Sequence, residues 1–211
     1  MLGRPERFIR ERLRLNELIP EIVEEVSKGW LPIGHAMELS RFPSATQKSV
    51  IADEVLYDWA PTGQPPGNHH FADFKSMLKE QYQFSLKEAR FSLTDVRLHP
   101  EGLACTACPE RTGFEPVLFE EDLKDGDSCL NEGCFKTKEK AFYQITRTDL
   151  AVKQKLAPEK IEFASEKGFY GDALKDEKVH AWAKIFKRRE CESVKPVMRI
   201  DGTDAGSLGY I

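Results

Sequence analysis

Three short helices separated by helix-breaking residues constrain the fold of this chain more than any other feature. The first is predicted from about Pro5 to Asn16. The second begins at Pro20, a residue favoured at the first helical position, and stops at Gly29, a residue favoured just after a helix end. The third begins near Pro32. Because helices this short are unstable alone, they are expected to pack on each other as a small bundle.

The first two of these helices carry opposite charge. Residues 1–15 hold five arginines and two glutamates, a net charge of +3, and residues 16–30 hold four glutamates and one lysine, a net charge of −3. Arg4, Arg7 and Arg10 recur every three residues and therefore share one side of the first helix. Guanidinium groups suit both phosphate and guanine edges, so this side is predicted to meet a polyanion, with a solvated basic face as the alternative.

The remaining chain predicts an α+β protein that is mainly α. A capping-box pattern at Ser44 and Gln47 indicates a fourth helix to about Ala60. We further expect a helix at 71–82, helical segments at 135–146, near Val152 and around 176–189, a strand at 160–164 and a C-terminal hairpin at 194–211. The predicted divisions are a helical domain (1–60), a Pro- and Gly-rich linker (61–70), a helical connector (71–98), a cysteine module (99–145) and an α+β region (146–211).

Four of the five cysteines form two close pairs. Two residues separate Cys105 from Cys108, four separate Cys129 from Cys134, and twenty lie between the pairs. Two such pairs can supply four thiolates to a tetrahedral zinc ion, which predicts one structural Zn²⁺ per chain. Two disulfides, or four unrelated thiols, are the alternatives.

Two further residues bear on this metal prediction. His99 is the one nearby residue that could replace a cysteine ligand. Cys191 stands apart, either as a lone thiol or as the first ligand of a second, incomplete metal site. Four cysteine ligands leave no open coordination position, so a catalytic zinc is not expected.

The sequence lacks the common signatures of enzymes and of membrane proteins. It contains no Gly-x-Ser-x-Gly, phosphate-loop or His-Glu-x-x-His motif, so the chain is not predicted to be an enzyme. It also contains no apolar stretch long enough to span a membrane and no apolar signal region at its start. A cytoplasmic protein is therefore expected.

Residues 10–42 resemble the central helical domain of the ParB/RepB/KorB group of partition proteins. In that pattern a recognition helix ends in an Arg-Leu-rich run, here Arg12 to Leu15, and is followed by a Leu-x-Pro step, here Leu18 to Pro20. A Gly-x-Leu-x-x-Gly-His-Ala run comes next, here Gly29 to Ala36.

The cysteine module is similar to a C-terminal extension found in a plasmid- and phage-associated branch of the same group. The shared elements are Cys-x-x-Cys-Pro-x-Arg-Thr-Gly, here residues 105–113, and Cys-Phe-x-x-Lys, here residues 134–138. The resemblance therefore extends to about residue 145.

This resemblance implies a DNA-binding protein of plasmid or chromosome partition, or a related transcriptional regulator. It would dock an incomplete helix-turn-helix on a palindromic, centromere-like site, as a homodimer associated with the nucleoid and with a partition ATPase as partner. The DNA contacts expected are Arg4, Arg7, Arg10, Arg12 and Arg14, and the alternative for one of Arg12 and Arg14 is a structural ion pair with an acid of the second helix, such as Glu21. The family's nucleotide-binding motifs do not occur here and the chain starts at the recognition helix, so a protein truncated at its N-terminus is expected. The alternative is a zinc-ribbon-like protein-interaction adaptor that does not bind DNA directly.

Overall fold

The computed structural model describes residues 6–55, 70–168, 174–187 and 194–211. Within these ranges the chain is α+β, which confirms the predicted class, with six α-helices, a two-stranded sheet and a four-stranded sheet. The chain divides into two compact units, the first formed by 1–88 and 105–135 and the second by 89–104 and 136–211. These units differ from the five predicted divisions because the first takes in both the N-terminal helices and the segment that carries the two cysteine pairs.

Five described helices belong to the first unit. They are α1 (Glu6–Arg14), α2 (Pro20–Ser27), α3 (Ile33–Leu39), α4 (Ser44–Val50) and α5 (Phe71–Tyr82). Pro20 is the first residue of α2, and Gly29, just beyond the end of α2, has the left-handed φ of 74° that glycine adopts most readily. The helix breaks read from the sequence are therefore the breaks that the structure shows.

The fourth helix departs from its prediction at its start. Ser44 is the first residue of α4, so the N-cap is Pro43, which has no side chain able to cap the helix. The Gln47 side chain is instead buried, accepting from the Ile19 amide at 3.0 Å and donating to the Phe42 carbonyl at 2.8 Å. Ile51–Val55 continues α4 as a π-helix. The remainder of the predicted helix to residue 60, and the linker to residue 69, lie outside the described residues.

The core of the first unit joins the helices to the segment between the cysteine pairs. Its most buried side chains are Ile22, Leu31, Leu39, Phe42, Val50, Phe74, Leu78, Leu118, Phe119 and Leu130. Leu118 and Phe119 of the cysteine segment therefore pack with the helices. A short antiparallel pair, β1 (Phe84–Ser85) with β2 (Ser128–Cys129), lies in the same unit.

The second unit is built from a long helix and a mixed sheet. The helix is α6 (Glu132–Gln154), which belongs to this unit from residue 136 onward, and the strands are β3 (Glu162–Ser165), β4 (Val179–Ala181), β5 (Pro196–Arg199) and β6 (Leu208–Tyr210). The strand order is β4-β3-β5-β6, with β3 parallel to both β4 and β5 and with β5 antiparallel to β6. Tyr143 and Ala151 of α6 share a core with Phe163 and Met198. Among the helices that the structure describes, none is long and apolar enough to cross a membrane.

The C-terminal predictions have mixed outcomes. The hairpin is confirmed by β5 and β6, and the strand predicted at 160–164 corresponds to β3. The helix predicted around 176–189 is wrong over its described part, where β4 is followed by irregular chain. There, Ala183 and Ile185 pack into the core while Trp182 and Lys184 are exposed, which is the two-residue period of an extended segment.

Candidate cysteine cluster and arginine helix

The two cysteine pairs lie close together in the first unit. The Cys108 amide donates to the Cys105 carbonyl at 3.2 Å, so the first pair occupies one tight turn. Cys129 ends β2, and Cys134 lies in the first turn of α6, where its amide donates to the Asn131 side chain at 2.9 Å. The fold therefore presents the second pair from a strand end and the helix start that follows it.

Backbone contacts hold the two pairs side by side. Arg111 and Cys129 form an antiparallel bridge, and the Leu130 amide donates to the Glu110 carbonyl at 3.0 Å. The residues just after the first pair are thereby hydrogen-bonded to the residues within the second. The sequence spacing predicts that the two cysteine pairs lie together, and these backbone hydrogen bonds hold them side by side.

The thiols themselves are largely withdrawn from water. Cys105, Cys108 and Cys129 are buried, Cys134 is half-buried, and no disulfide joins these four described residues. The hydrogen bond with Cys134, burial, and the charges of Cys134 and Cys108 raise the pKa of the Cys129 thiol. A bound cation would relieve the repulsion that opposes its ionisation.

A formed metal site is not evident in the described ranges. There, no group of three or more His, Cys, Asp or Glu side chains is arranged to hold a metal ion. Zinc binding by Cys105, Cys108, Cys129 and Cys134 therefore stays a prediction. Cys191, the suggested first ligand of a second site, lies outside the described residues.

The Arg-Thr-Gly sequence after the first pair folds around one carboxylate. Asp127 accepts from the Gly113 amide at 2.7 Å, from the Thr112 hydroxyl at 2.9 Å and from the Arg111 guanidinium. The Arg111 guanidinium also donates at 3.2 Å to the carbonyl of Thr106, which lies inside the first cysteine pair. These bonds connect the first pair to the residues that precede Cys129.

The same network explains the glycine and sets the ionisation of the carboxylate. A Cβ atom at Gly113 would lie 2.6 Å from an Arg111 guanidinium nitrogen and 2.8 Å from an Asp127 carboxylate oxygen, so a side chain there would displace the network. Burial opposes ionisation of Asp127, but the hydrogen bonds from Gly113, Arg111 and Thr112 outweigh it and hold the pKa of this carboxyl below its usual value.

A second buried arginine connects α3 to the cysteine segment. The Arg41 guanidinium donates to Glu38 at 2.6 Å, to the Leu118 carbonyl at 3.1 Å and to Asp122. It also lies over the Phe119 ring, with its central carbon 4.3 Å from the ring centroid. The side chains of Arg41 and Asp122 are only 8% and 7% exposed, so this ion pair is shielded from water.

The predicted DNA-contacting arginines divide into three groups. Arg4 lies outside the described residues. Arg7 and Arg10 pair with Glu11 and Glu6, one turn away on the same helix and each at 2.8 Å. The other two, Arg12 and Arg14, are engaged with an aromatic ring and with tertiary acceptors, respectively.

Arg14 fixes the end of α1 to the rest of the first unit. Its guanidinium donates to the Ser40 carbonyl at 3.3 Å and to Glu115 at 3.0 Å, and it lies 3.3 Å from Glu17. The Arg14 side chain is 18% exposed. Arg12, by contrast, is exposed, and its guanidinium lies 4.9 Å from the centroid of the Phe8 ring.

A cavity of about 190 Å³ lies beside Arg14 in the first unit. Three arginines and three glutamates contribute to its lining, so their formal charges cancel. The lining therefore has no excess positive charge to attract an anion such as phosphate. The charged residues that line the cavity are Arg14, Arg41, Arg111, Glu17, Glu110 and Glu115.

Sequence reasoning missed the residues that carry the network. Arg41, Asp122 and Asp127 had no recognisable motif of their own, although Asp127 stands two residues before Cys129. The Arg-Thr-Gly run was visible as part of the family-like pattern, but its carboxylate partner lies 14 to 16 residues away in sequence. Comparison with known proteins adds nothing to this assignment, since no family, no curated protein and no solved structure matches the chain.

We expect Asp127→Asn to destabilise the first unit by about 1–3 kcal/mol at neutral pH, because three donors lose their carboxylate acceptor. The pKa of Asp127 is lower in the folded protein than in the unfolded chain. Its ionised form therefore stabilises the fold above the unfolded pKa of about 3.9, and this contribution is lost as the pH falls through the folded pKa. Urea unfolding of both proteins at several pH values measures the difference.

The difference in unfolding free energy between the wild type and Asp127→Asn should thus shrink as the pH falls below about 4. Asp53→Asn, at an exposed aspartate of the same unit, serves as the control and should change stability little. A difference that stays constant from neutral to acid pH would contradict the assigned role of the Asp127 carboxylate.

Proposed function

We propose that this chain is a DNA-binding protein of the ParB type, acting in plasmid or chromosome partition or in related transcriptional regulation. In that role it binds a palindromic, centromere-like site as a homodimer, works with a partition ATPase and associates with the nucleoid. The observation that carries the proposal is α1, a basic helix that lies on the surface while its last residue is anchored. None of its nine residues, all of them described, is buried.

Arg7 and Arg10 are available to DNA despite their glutamate partners. Their side chains are 37% and 49% exposed, and both pairs are formed within one helix at an i,i+4 spacing. Exposed pairs of this kind stabilise a helix by only about 0.3–0.5 kcal/mol, so a phosphate can replace the glutamate at little cost. Phosphate contacts position such a helix, and arginines that reach the major groove read base edges.

The remaining arginines then have distinct roles. Arg12 is exposed as well, but at helical spacing it lies on a different side of α1 from Arg7 and Arg10 and would meet a different part of the DNA. Arg14 acts as a positioning residue, because its bonds to Ser40 and Glu115 hold the C-terminal end of α1 in place. A surface helix that is fixed at one end and has no buried residue is suited to docking in a groove.

One observation favours the second candidate function, a protein-interaction adaptor without direct DNA binding. Ile9 and Leu13 stand one turn apart on α1 and are 41% and 62% exposed. Two large apolar side chains at this spacing form a small patch of the kind that anchors a helix in a protein groove. The adaptor would use α1 through this patch, whereas the DNA-binding protein uses the arginines.

We expect the double substitution Arg7→Ala and Arg10→Ala to weaken binding of a mixed-sequence DNA duplex. At any salt concentration from 50 to 200 mM, the affinity should be about tenfold or more below that of the wild type. Each phosphate contact that is lost should reduce the slope of log affinity against log salt by about 0.9, so the two substitutions together should reduce the slope by about 2. Fluorescence anisotropy of a labelled duplex measures both quantities.

Arg97→Ala is the matched control, because Arg97 is also an exposed arginine paired with an acid, Asp95, at 2.7 Å, but lies in the second unit. It should leave duplex affinity unchanged. Equal duplex affinity for the wild type and the Arg7/Arg10 double variant would remove the DNA-binding role of α1 and favour the adaptor.

We also propose that Cys105, Cys108, Cys129 and Cys134 hold one structural zinc ion. The support is their spacing, the backbone pairing that brings the two pairs together, and the shared electrostatics of Cys129, Cys134 and Cys108. When bound, the ion would crosslink the turn at Cys105–Cys108 to the start of α6 and so stabilise the first unit.

The purified protein is accordingly expected to carry about one zinc ion per chain by native mass spectrometry. Cys129→Ser should lose the ion because a tetrahedral site would keep only three thiolates, whereas Cys191→Ser should retain it. A metal-free protein whose Cys105 and Cys129 are fully alkylated under native conditions would rule out the site.

A further inference from the structure

The second unit holds a large aromatic ring at its surface in an unfavourable backbone conformation. Trp182 follows β4, has a φ of 57° and is 74% exposed. A left-handed φ in a residue other than glycine costs about 1–3 kcal/mol, and strain of this kind concentrates at functional positions. An exposed indole in such a conformation therefore calls for an explanation beyond packing.

The chain is shaped to support one face of this indole. Gly168 has a φ of 69°, and a Cβ atom placed on it would lie 2.3 Å from the Trp182 ring. The indole therefore rests directly against the Gly168 backbone, in space that the side chain of any other residue at position 168 would occupy. Because Trp182 is nonetheless mostly exposed, a broad part of its ring is open to solvent.

The loop beneath the indole is held by a buried carboxylate. Asp201 accepts from the Ser165 hydroxyl at 2.6 Å, from the Lys167 amide at 2.9 Å and from the Glu166 amide at 3.2 Å. The residue after the tryptophan is fixed as well, since the Ala183 amide donates to the Ser165 carbonyl at 2.9 Å. The indole and its support are thus both tied by hydrogen bonds to the end of β3.

A second aromatic ring lies four residues further along. Phe186 is 37% exposed and exchanges two backbone hydrogen bonds of 3.0 Å with Tyr210, which fixes its position at the edge of the sheet. The ammonium group of Lys184 lies 5.4 Å from the centroid of the Phe186 ring. Ile185, between them, packs into the core.

The exposed charges next to the two rings in the sequence are mainly positive. Lys167, Lys184 and Lys187 are all exposed. Of the nearby acids, Glu166 is paired with Arg199 at 3.0 Å, and Asp204 makes only a loose contact of 3.9 Å with Lys187. Exposed aromatic rings interleaved with lysines are the pattern with which proteins bind single strands, since bases stack on the rings and lysines contact phosphates.

We propose that this surface is a binding site for single-stranded nucleic acid. Trp182 and Phe186 stack on unpaired bases, and Lys167, Lys184 and Lys187 contact the phosphates. A duplex hides the faces of its bases, so the site discriminates single strands from double-stranded DNA. The site uses no residue of α1 and is therefore independent of the DNA-binding role proposed for the first unit.

The test measures the anisotropy of a labelled oligothymidylate with the full chain. Trp182→Ala is expected to lower the affinity by about 5- to 150-fold, the range that corresponds to stacking of one base. Trp182→Phe should retain most of the affinity because it keeps an aromatic face. Trp30→Ala, which removes a tryptophan that is also exposed but lies in the first unit, should have no effect.

The lysines give a second readout. Lys184→Gln together with Lys187→Gln should reduce the salt slope for oligothymidylate by about 1.4, or about 0.7 for each phosphate contact. Circular dichroism confirms that each variant is folded. The Arg7/Arg10 double variant should bind oligothymidylate like the wild type, and Trp182→Ala should bind a duplex like the wild type, so each proposal can fail without the other.

Two results would overturn the inference. One is the absence of oligothymidylate binding by the full chain at low salt. The other is binding that falls in the lysine variant but is the same in Trp182→Ala, which would show a general electrostatic attraction without stacking.

Discussion

The buried guanidinium of Arg41 is the interaction on which the first unit depends. It binds Glu38 of α3, the Leu118 carbonyl and Asp122, and it covers the Phe119 ring. An intact buried ion pair adds little net stability, whereas one partner left alone costs about 3–5 kcal/mol. The main effect of Arg41 is therefore specificity, because the fold is stable only when the cysteine segment lies in this one position on α3.

The packing of the cysteine segment on α3 supports both proposed features of the first unit, the basic helix α1 and the cysteine cluster. Arg14 reaches Ser40, next to Arg41, and Glu115 in the cysteine segment, so the same packing anchors the basic helix. The Asp127 network and the Thr46 hydroxyl, which donates to the Leu130 carbonyl at 2.8 Å, fix the second cysteine pair. The exposed face of α1 and the cysteine cluster both rest on buried charge pairs, although the Nε atoms of Arg14, Arg41 and Arg111 make no hydrogen bond within the described part of the chain.

The sequence was informative where local chemistry decides the structure. Prolines and glycines placed the breaks around α2 and α3, and alternation and turn residues placed the hairpin of β5 and β6. The sequence was not informative where the structure depends on partners that are distant in the chain. The acid that holds Arg14 is 101 residues away, so the sequence could not separate this arginine from its exposed neighbours. The helix predicted around 176–189 is likewise not found over its described part, where Ala183 and Ile185 pack into the core and Trp182 and Lys184 are exposed.

Native-state hydrogen exchange on the wild type and Arg41→Ala tests most directly whether the helices and the cysteine segment form one cooperative unit. The helical amides of Ser40 and Gln47 and the segment amides of Leu118 and Leu123 are all hydrogen-bonded. We predict one common opening free energy for both groups in the wild type, and a joint decrease of about 3–5 kcal/mol in Arg41→Ala. Segment amides that open in the wild type at a much lower free energy than the helical amides would contradict the account.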